Sequence, residues 1–133
     1  MRRALVVEDD AHNAILFRKL LEKRCGCSVV VTESAEEVLA LVRGGQVELV
    51  VMDVSLNNTV LDGKAVSGVD LCRMLKADPA TAHVPVILAT AHAMRGDADR
   101  LLSESGADDY IAKPIVDHEL FVSHVRARLP EAA

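Results

Sequence analysis

Three short aliphatic runs in this chain each end on a polar group. Ala4-Leu5-Val6-Val7 leads into Glu8-Asp9-Asp10, Leu49-Val50-Val51-Met52 into Asp53, and Val86-Ile87-Leu88-Ala89 into Thr90. A fourth, weaker run, Tyr110-Ile111-Ala112, leads into Lys113-Pro114. Continuous apolar runs of strand length mark strands buried on both faces, as in a parallel sheet covered by helices. In an open sheet of that kind, ligands bind just beyond the carboxyl ends of the strands. Four separated segments therefore deliver acidic, hydroxyl and basic groups to one edge of one sheet.

Helical patterns fill the intervals. Ile15, Leu16, Leu20 and Leu21 form a stripe that predicts a first helix, stopped near Gly26. Val29-Val30-Val31 reads as the second strand. Ser34-Ala35-Glu36-Glu37 reads as a capping box opening a helix through about Val42. Gly68 precedes a third helix with Val69, Leu71, Cys72 and Leu75, closed by Asp78-Pro79. The fourth strand spans Val84 to Thr90, with Pro85 near its start, where a missing ladder donor is tolerable. Helices over Met94–Ser105 and Asp117–Leu129 flank a fifth strand at Asp109–Ala112. Strand and helix alternate five times, which predicts a parallel sheet with helices on both faces.

The bulk properties narrow the function. The 133 residues suit one domain over 1–133, with no room for an appended output domain. Half the residues are apolar, so a core forms without metal or disulfide support. A net charge of −5 and only three aromatics, Phe17, Tyr110 and Phe121, argue against nucleic acid as a partner. No stretch is long enough to insert into a membrane, and the start is too short for a signal-peptide core, so a cytoplasmic protein is expected. Cys25, Cys27 and Cys72 lack metal or redox spacing and read as reduced thiols. His12, His83, His118 and His124 show no ligand spacing and read as surface residues.

The order of these segments resembles the receiver domain of two-component response regulators. The carrying residues are Leu5-Val6-Val7-Glu8-Asp9-Asp10, Val51-Met52-Asp53, Leu88-Ala89-Thr90-Ala91 and Gly106 to Pro114. The stretch from Thr90 to Asp97 looks most like stand-alone receivers of the DivK kind. The resemblance implies a flavodoxin-like (βα)5 fold with five parallel strands in the order 2-1-3-4-5. It implies that Asp53 accepts a phosphoryl group from a phosphohistidine of a histidine kinase or phosphotransfer protein. Mg²⁺ (or Mn²⁺) would be held by Asp9, Asp53 and the Ser55 backbone carbonyl, with Glu8 acting through water; hard cations prefer such oxygens. Asp10 is the alternative for either carboxylate role, though its position suits a helix cap. Lys113 would pair with a phosphoryl oxygen, and the Lys113-Pro114 bond would be cis. Thr90 and Tyr110 would be the switch pair beneath a surface for a downstream protein effector. Ser55 and His92 would tune phosphate lifetime.

The implied protein signals rather than turning over a metabolite, as a monomer or weak dimer. Arg126 and Arg128 would help a dimer or favour the C-terminal end of the last helix. Alternatives are a phosphorelay shuttle or a phosphorylation-independent scaffold. A dehalogenase-like phosphatase needs an aspartate where Ser55 stands, and a nucleotide-binding module needs a glycine-rich loop where Glu8-Asp9-Asp10 stands. One segment departs from the family. Gly68 matches the glycine that opens the third helix, but it lies several residues beyond the usual spacing from Asp53. The extra residues fall within about 56–67 and read as a tolerated surface insertion, or as a lid or docking loop beside the site.

Overall fold

The structure is a computed structural model that describes residues 2–56, 59–91 and 97–129. The chain runs β1 (Arg3–Val7), α1 (Ala11–Cys25), β2 (Ser28–Thr32), α2 (Ala35–Arg43), β3 (Leu49–Asp53), β4 (Val60–Leu61), β5 (Lys64–Ala65), α3 (Gly68–Ala77), β6 (Val86–Thr90), α4 (Asp97–Ser105), β7 (Asp109–Ala112) and α5 (His118–Arg128). Five strands form one parallel sheet in the order β2-β1-β3-β6-β7, which is 2-1-3-4-5 counted along its own strands.

Strand side chains alternate faces, and the core divides accordingly. Ala4, Val6, Leu49, Val51, Ile87 and Ala89 pack on the α1/α5 side, where Phe17 and Phe121 stack with ring centres 5.5 Å apart. Leu5, Val7, Val50, Met52, Val86 and Leu88 face α2 and α3. The three runs are fully apolar because both faces are covered. Leu20 and Leu21 of the stripe read in α1 are buried, with Phe17 and Cys25, and Leu16 packs against them, but Ile15 is 61% exposed. Ile15 and Phe17 both fit a helical period; Phe17 takes the core because its ring meets Phe121.

Local chemistry sets the helix ends. Asp10 caps α1, accepting from His12 N at 2.9 Å and Asn13 N at 3.2 Å. These bonds hold its carboxyl below the ordinary carboxylate range, Asn13 contributing most. Gly26 ends α1 at φ 67°, a left-handed conformation that glycine adopts without strain. Arg126 donates to Arg24 O at 2.7 Å, satisfying one terminal carbonyl of the same helix. Ser34 accepts from Glu37 N at 3.3 Å, but its own N–H donates to Thr32 Oγ1, so only half of the expected capping box forms. The complete box is at α3, where Ser67 and Asp70 bond reciprocally at 3.1 and 2.9 Å. Strand β6 begins one residue after Pro85, whose carbonyl accepts from Val50 N at 2.9 Å. All three cysteines are buried free thiols. Burial pushes their pKa values up, that of Cys72 to about 11, which makes them weak nucleophiles.

The long β3–α3 segment contains a two-stranded antiparallel hairpin, Val60 pairing with Ala65 and Leu61 with Lys64. Asp62 and Gly63 form its turn at φ 53° and 80°, as a type I′ hairpin requires. Leu56 and Val66 are buried against the α2/α3 core, and Leu61 packs on it. Asp62 and Lys64 are exposed at the tip.

Candidate functional site: a carboxylate cluster at the sheet edge

Strand register builds the site. Val7 pairs with Met52, so the next residues, Glu8 and Asp53, lie side by side. Asp53 itself pairs with Ala89, which puts Thr90 one step beyond. Thr90 pairs with Ala112, and Lys113 follows; its N–H donates to Thr90 O at 2.8 Å. Four strand ends thus set Glu8, Asp53, Thr90 and Lys113 in one row. Glu8, Asp53 and Thr90 are buried, at 4%, 2% and 2% exposure.

Glu8, Asp9 and Asp53 each offer a carboxylate oxygen within 4.8 Å of the others. Lys113 Nζ donates to Asp53 Oδ1 at 2.9 Å and to Glu8 Oε1 at 3.3 Å. Glu8 Oε2 accepts from Asp9 N at 3.1 Å and Asp10 N at 3.3 Å, and Ser55 N donates to Asp53 Oδ1 at 3.1 Å. Lys113 thus pairs with two of the three carboxylates. Burial, followed by the hydrogen bond and charge of Asp53, raises Glu8 from its ordinary 4.5 to about 7. Burial opposes the Lys113 charge, but its bond to Asp53 and the charges of Asp53 and Glu8 outweigh this and push its pKa up. An all-oxygen donor set of three gathered carboxylates suits a hard divalent cation.

The Lys113-Pro114 peptide is cis, as expected. Tyr110 is half-buried and lines a pocket of about 290 Å³ with Pro114, Ile115, Leu120, Phe121 and His124. Ser55 is exposed beside Asp53. His92 lies outside the described residues. Asp10 points into its cap, which leaves Glu8 and Asp9 as the two carboxylates that gather with Asp53.

Gly68 contributes by lacking a side chain. A Cβ there would stand 1.8 Å from the Asp53 carbonyl oxygen and 3.0 Å from Met52 Cγ. Helix α3 therefore starts directly against the backbone of the strand end that carries Asp53, and Gly68 N donates to Val54 O at 3.1 Å. Sequence reading placed this glycine at the helix start but missed the contact, which depends on two segments meeting in space. Among the described residues, no helix is long and apolar enough to cross a membrane.

Comparison with known proteins fits this geometry. The family model described as response regulator receiver domain matches residues 4–125. The polar-differentiation response regulator DivK of Brucella ovis is 35% identical over 131 residues, 98% of each chain. The receiver domain of a signal transduction histidine kinase from Syntrophus aciditrophicus superposes with a TM-score of 0.79 at 27% identity, covering 100% of this chain and 97% of that one. The receiver domain of the Pseudomonas aeruginosa sensor histidine kinase PA1611, whose structure has a magnesium ion coordinated in its active-site cleft, superposes at 0.77 with 23% identity and 96% coverage of both chains. With a parallel sheet in the order 2-1-3-4-5 and a carboxylate cluster at its edge, this chain belongs to the response regulator receiver domain family and is DivK-like.

Proposed function

We propose that this protein is a cytoplasmic, stand-alone receiver that takes a phosphoryl group onto Asp53 from a phosphohistidine of a histidine kinase or phosphotransfer protein. It then signals to a downstream protein effector. The observation that carries this reading is the placement of Asp53: buried, 2.9 Å from the Lys113 ammonium, and within a three-carboxylate cluster at the sheet edge. An Asp53 carboxylate oxygen attacks phosphorus, the phosphorus–nitrogen bond of the donor breaks, and the donor ring, protonated beforehand at its other nitrogen, leaves as neutral imidazole. Lys113 is already held between Asp53 and Glu8, so it needs little reorganisation to pair with an incoming phosphoryl oxygen. The Thr90 hydroxyl, on the neighbouring strand end, can donate to a second oxygen. Glu8, Asp9, Asp53 and the Ser55 carbonyl would hold Mg²⁺ (or Mn²⁺). When bound, the ion offsets the charge of the carboxylates and the phosphoryl group.

Phosphorylation converts the Asp53–Lys113 pair into a phosphoryl–Lys113 pair and gives Thr90 a new acceptor. Movement of Thr90 towards it vacates space beneath the neighbouring strand, and Tyr110, half-buried one strand over, follows. Its pocket lies between β7 and α5, beside exposed Leu120 and Val116. That surface is where an effector would read the change. Ser55, directly beside Asp53, and His92 would set how readily water reaches the acyl phosphate.

Incubation with acetyl phosphate and Mg²⁺, followed by intact-mass measurement, tests the reading. A single phosphoryl adduct is expected on the wild type, lost with EDTA and in Asp53→Asn. An adduct that survives Asp53→Asn at the same site would overturn it.

A further inference from the structure

The β4–β5 hairpin is anchored at the rim of the carboxylate cluster and turns an apolar face to solvent. Its base is fastened on two sides. Buried Thr59 donates through Oγ1 to the Glu33 carbonyl at 2.8 Å, and its own carbonyl accepts from Val66 N at 3.0 Å. Glu33 lines a groove of about 440 Å³ with Thr32, Glu8, Asp9 and, on the α1 side, Ile15. The hairpin is therefore bonded to the wall of the groove that opens on the acids. On its other side, Ala65 precedes Gly68 by three residues, at most about 11 Å of chain. Gly68 lies against the Asp53 carbonyl.

Side chains alternate along a strand, and directly opposed residues share a face. Leu61 packs on the α2/α3 core, so Val60 points the other way and is 51% exposed. Ala65, the cross-strand partner of Val60, is exposed on the same outer face. A hairpin that only spanned a gap would gain nothing from such a face, since charged groups guard short exposed strands better. The donor, by contrast, has to seat on this rim. Asp53 is too deeply buried for a phosphoimidazole to reach it unless the protein carrying that ring closes on the surrounding surface. Even at the small end of specific interfaces, about 600 Å² per partner, the footprint is a disc of about 14 Å radius. Centred on Asp53, such a footprint reaches the hairpin.

We infer that the β4–β5 hairpin is a contact surface for the phosphohistidine-bearing donor protein, with Val60 and Ala65 covered by an apolar patch of that protein. This rests on the reading of Asp53 as phosphoacceptor given above. Exposed Ile15 borders the same groove on its α1 side, so aliphatic side chains flank the entry to the acids from two elements. The hairpin sets which donor docks and takes no part in the chemistry. A small donor, which needs no docking surface, reacts without it.

The test uses the full chain. The histidine kinases and phosphotransfer proteins of the source organism are purified, charged with labelled phosphate from ATP, and mixed with the wild type one at a time. The donor that transfers fastest is then used with Val60→Glu and Ala65→Glu, and each variant is also labelled with acetyl phosphate. Each substitution should raise the KM for transfer about tenfold with kcat little changed, while acetyl phosphate labels all three proteins at one rate. Val60→Ser, which puts no charge on the hairpin, should raise KM about threefold and serves if the glutamate variants do not fold. Wild-type KM in the variants would overturn the inference. Acetyl phosphate labelling slowed by the same factor as transfer would overturn it too, because the hairpin would then shape the site itself. Labelling of the wild type by acetyl phosphate but by no protein donor would also overturn it. A wild type labelled by neither would bring down the reading of Asp53 first, and this inference with it.

Discussion

Two lysines sit at opposite ends of the sheet with nearly equal burial, Lys76 at 15% and Lys113 at 13% side-chain exposure. Lys76 Nζ spends its three hydrogens on Ala82 O at 3.0 Å, Val84 O at 2.9 Å and Asp108 Oδ2 at 2.8 Å. Asp108 Oδ2 also accepts from Val86 N at 2.8 Å. One cation meets one anion there, and the polar groups around them are satisfied. Lys113 meets Asp53 and Glu8, two members of a cluster of three carboxylates. The first arrangement is complete as it stands and ties α3 to β6 and the start of β7. The second gathers three carboxylate oxygens around one ammonium, a donor set that suits a divalent cation. Burial alone does not separate the two; the number of carboxylates gathered around each ammonium does.

The sharpest way to break this contrast is Lys76→Met. It leaves Asp108 without its cation and two carbonyls without a donor. The expected loss is about 2–3 kcal/mol, less than for a fully buried pair because Asp108 is partly exposed. Denaturant unfolding with and without Mg²⁺ should give the same loss, since this end of the sheet is not part of the cluster. A loss that Mg²⁺ repairs would mean that the two ends are not independent.

The aspartates extend the comparison through opposite signs. Asp108→Asn should destabilise by about 1 kcal/mol, because a charge-assisted bond is weakened. Asp53→Asn should stabilise the metal-free protein by about 1 kcal/mol, because it relieves like charge around Glu8. It should also shrink the rise in melting temperature that Mg²⁺ gives. Shifts of the same sign in the two variants would remove the distinction between a balanced and an unbalanced pair.

A smaller effect should follow pH. Glu8 holds its proton more tightly in the folded protein, about 7 against 4.5, so protons favour folding. That contribution is complete below about pH 4.5 and disappears as pH rises through about 7. In EDTA the melting temperature of the wild type should fall across this window, more steeply than that of Glu8→Gln, and Mg²⁺ should restore it at the alkaline end. Identical slopes for the two proteins would show that Glu8 is not the group that titrates. The smallest effect is expected at Arg18, exposed and 3.5 Å from Glu22 on α1. Arg18→Ala should cost no more than about 0.5 kcal/mol, and a larger loss would show that simple surface pairs matter more here than the comparison allows.

The row of strand ends was legible in the sequence because each apolar run stops where its strand stops. Register then needs only one residue beyond each stop, as with Val7–Glu8 and Met52–Asp53. The hairpin was also written locally, in Asp62-Gly63 between Val60-Leu61 and Lys64-Ala65, but strands of two residues give no period to detect. Ile15 and Phe17 compete for the inner face of α1, and periodicity could not rank them without the ring of Phe121. Lys76 carried no signal at all, since its three acceptors come from two other segments. The contact of Gly68 with the Asp53 backbone was equally unreadable, because it joins residues separated by the whole loop.

That contact has a consequence for how such proteins diversify. Val54 N–H is fixed to Ala89 O, and Gly68 N–H returns to Val54 O. The chain between them departs from and comes back to the same residue, so its length is free while both of its ends are fixed. It behaves as an exchangeable cassette: a segment from a relative could be grafted between Leu56 and Gly68, altering what neighbours the site without moving Ser55, the strand end or the helix. A glycine at the return point is the condition for such a graft.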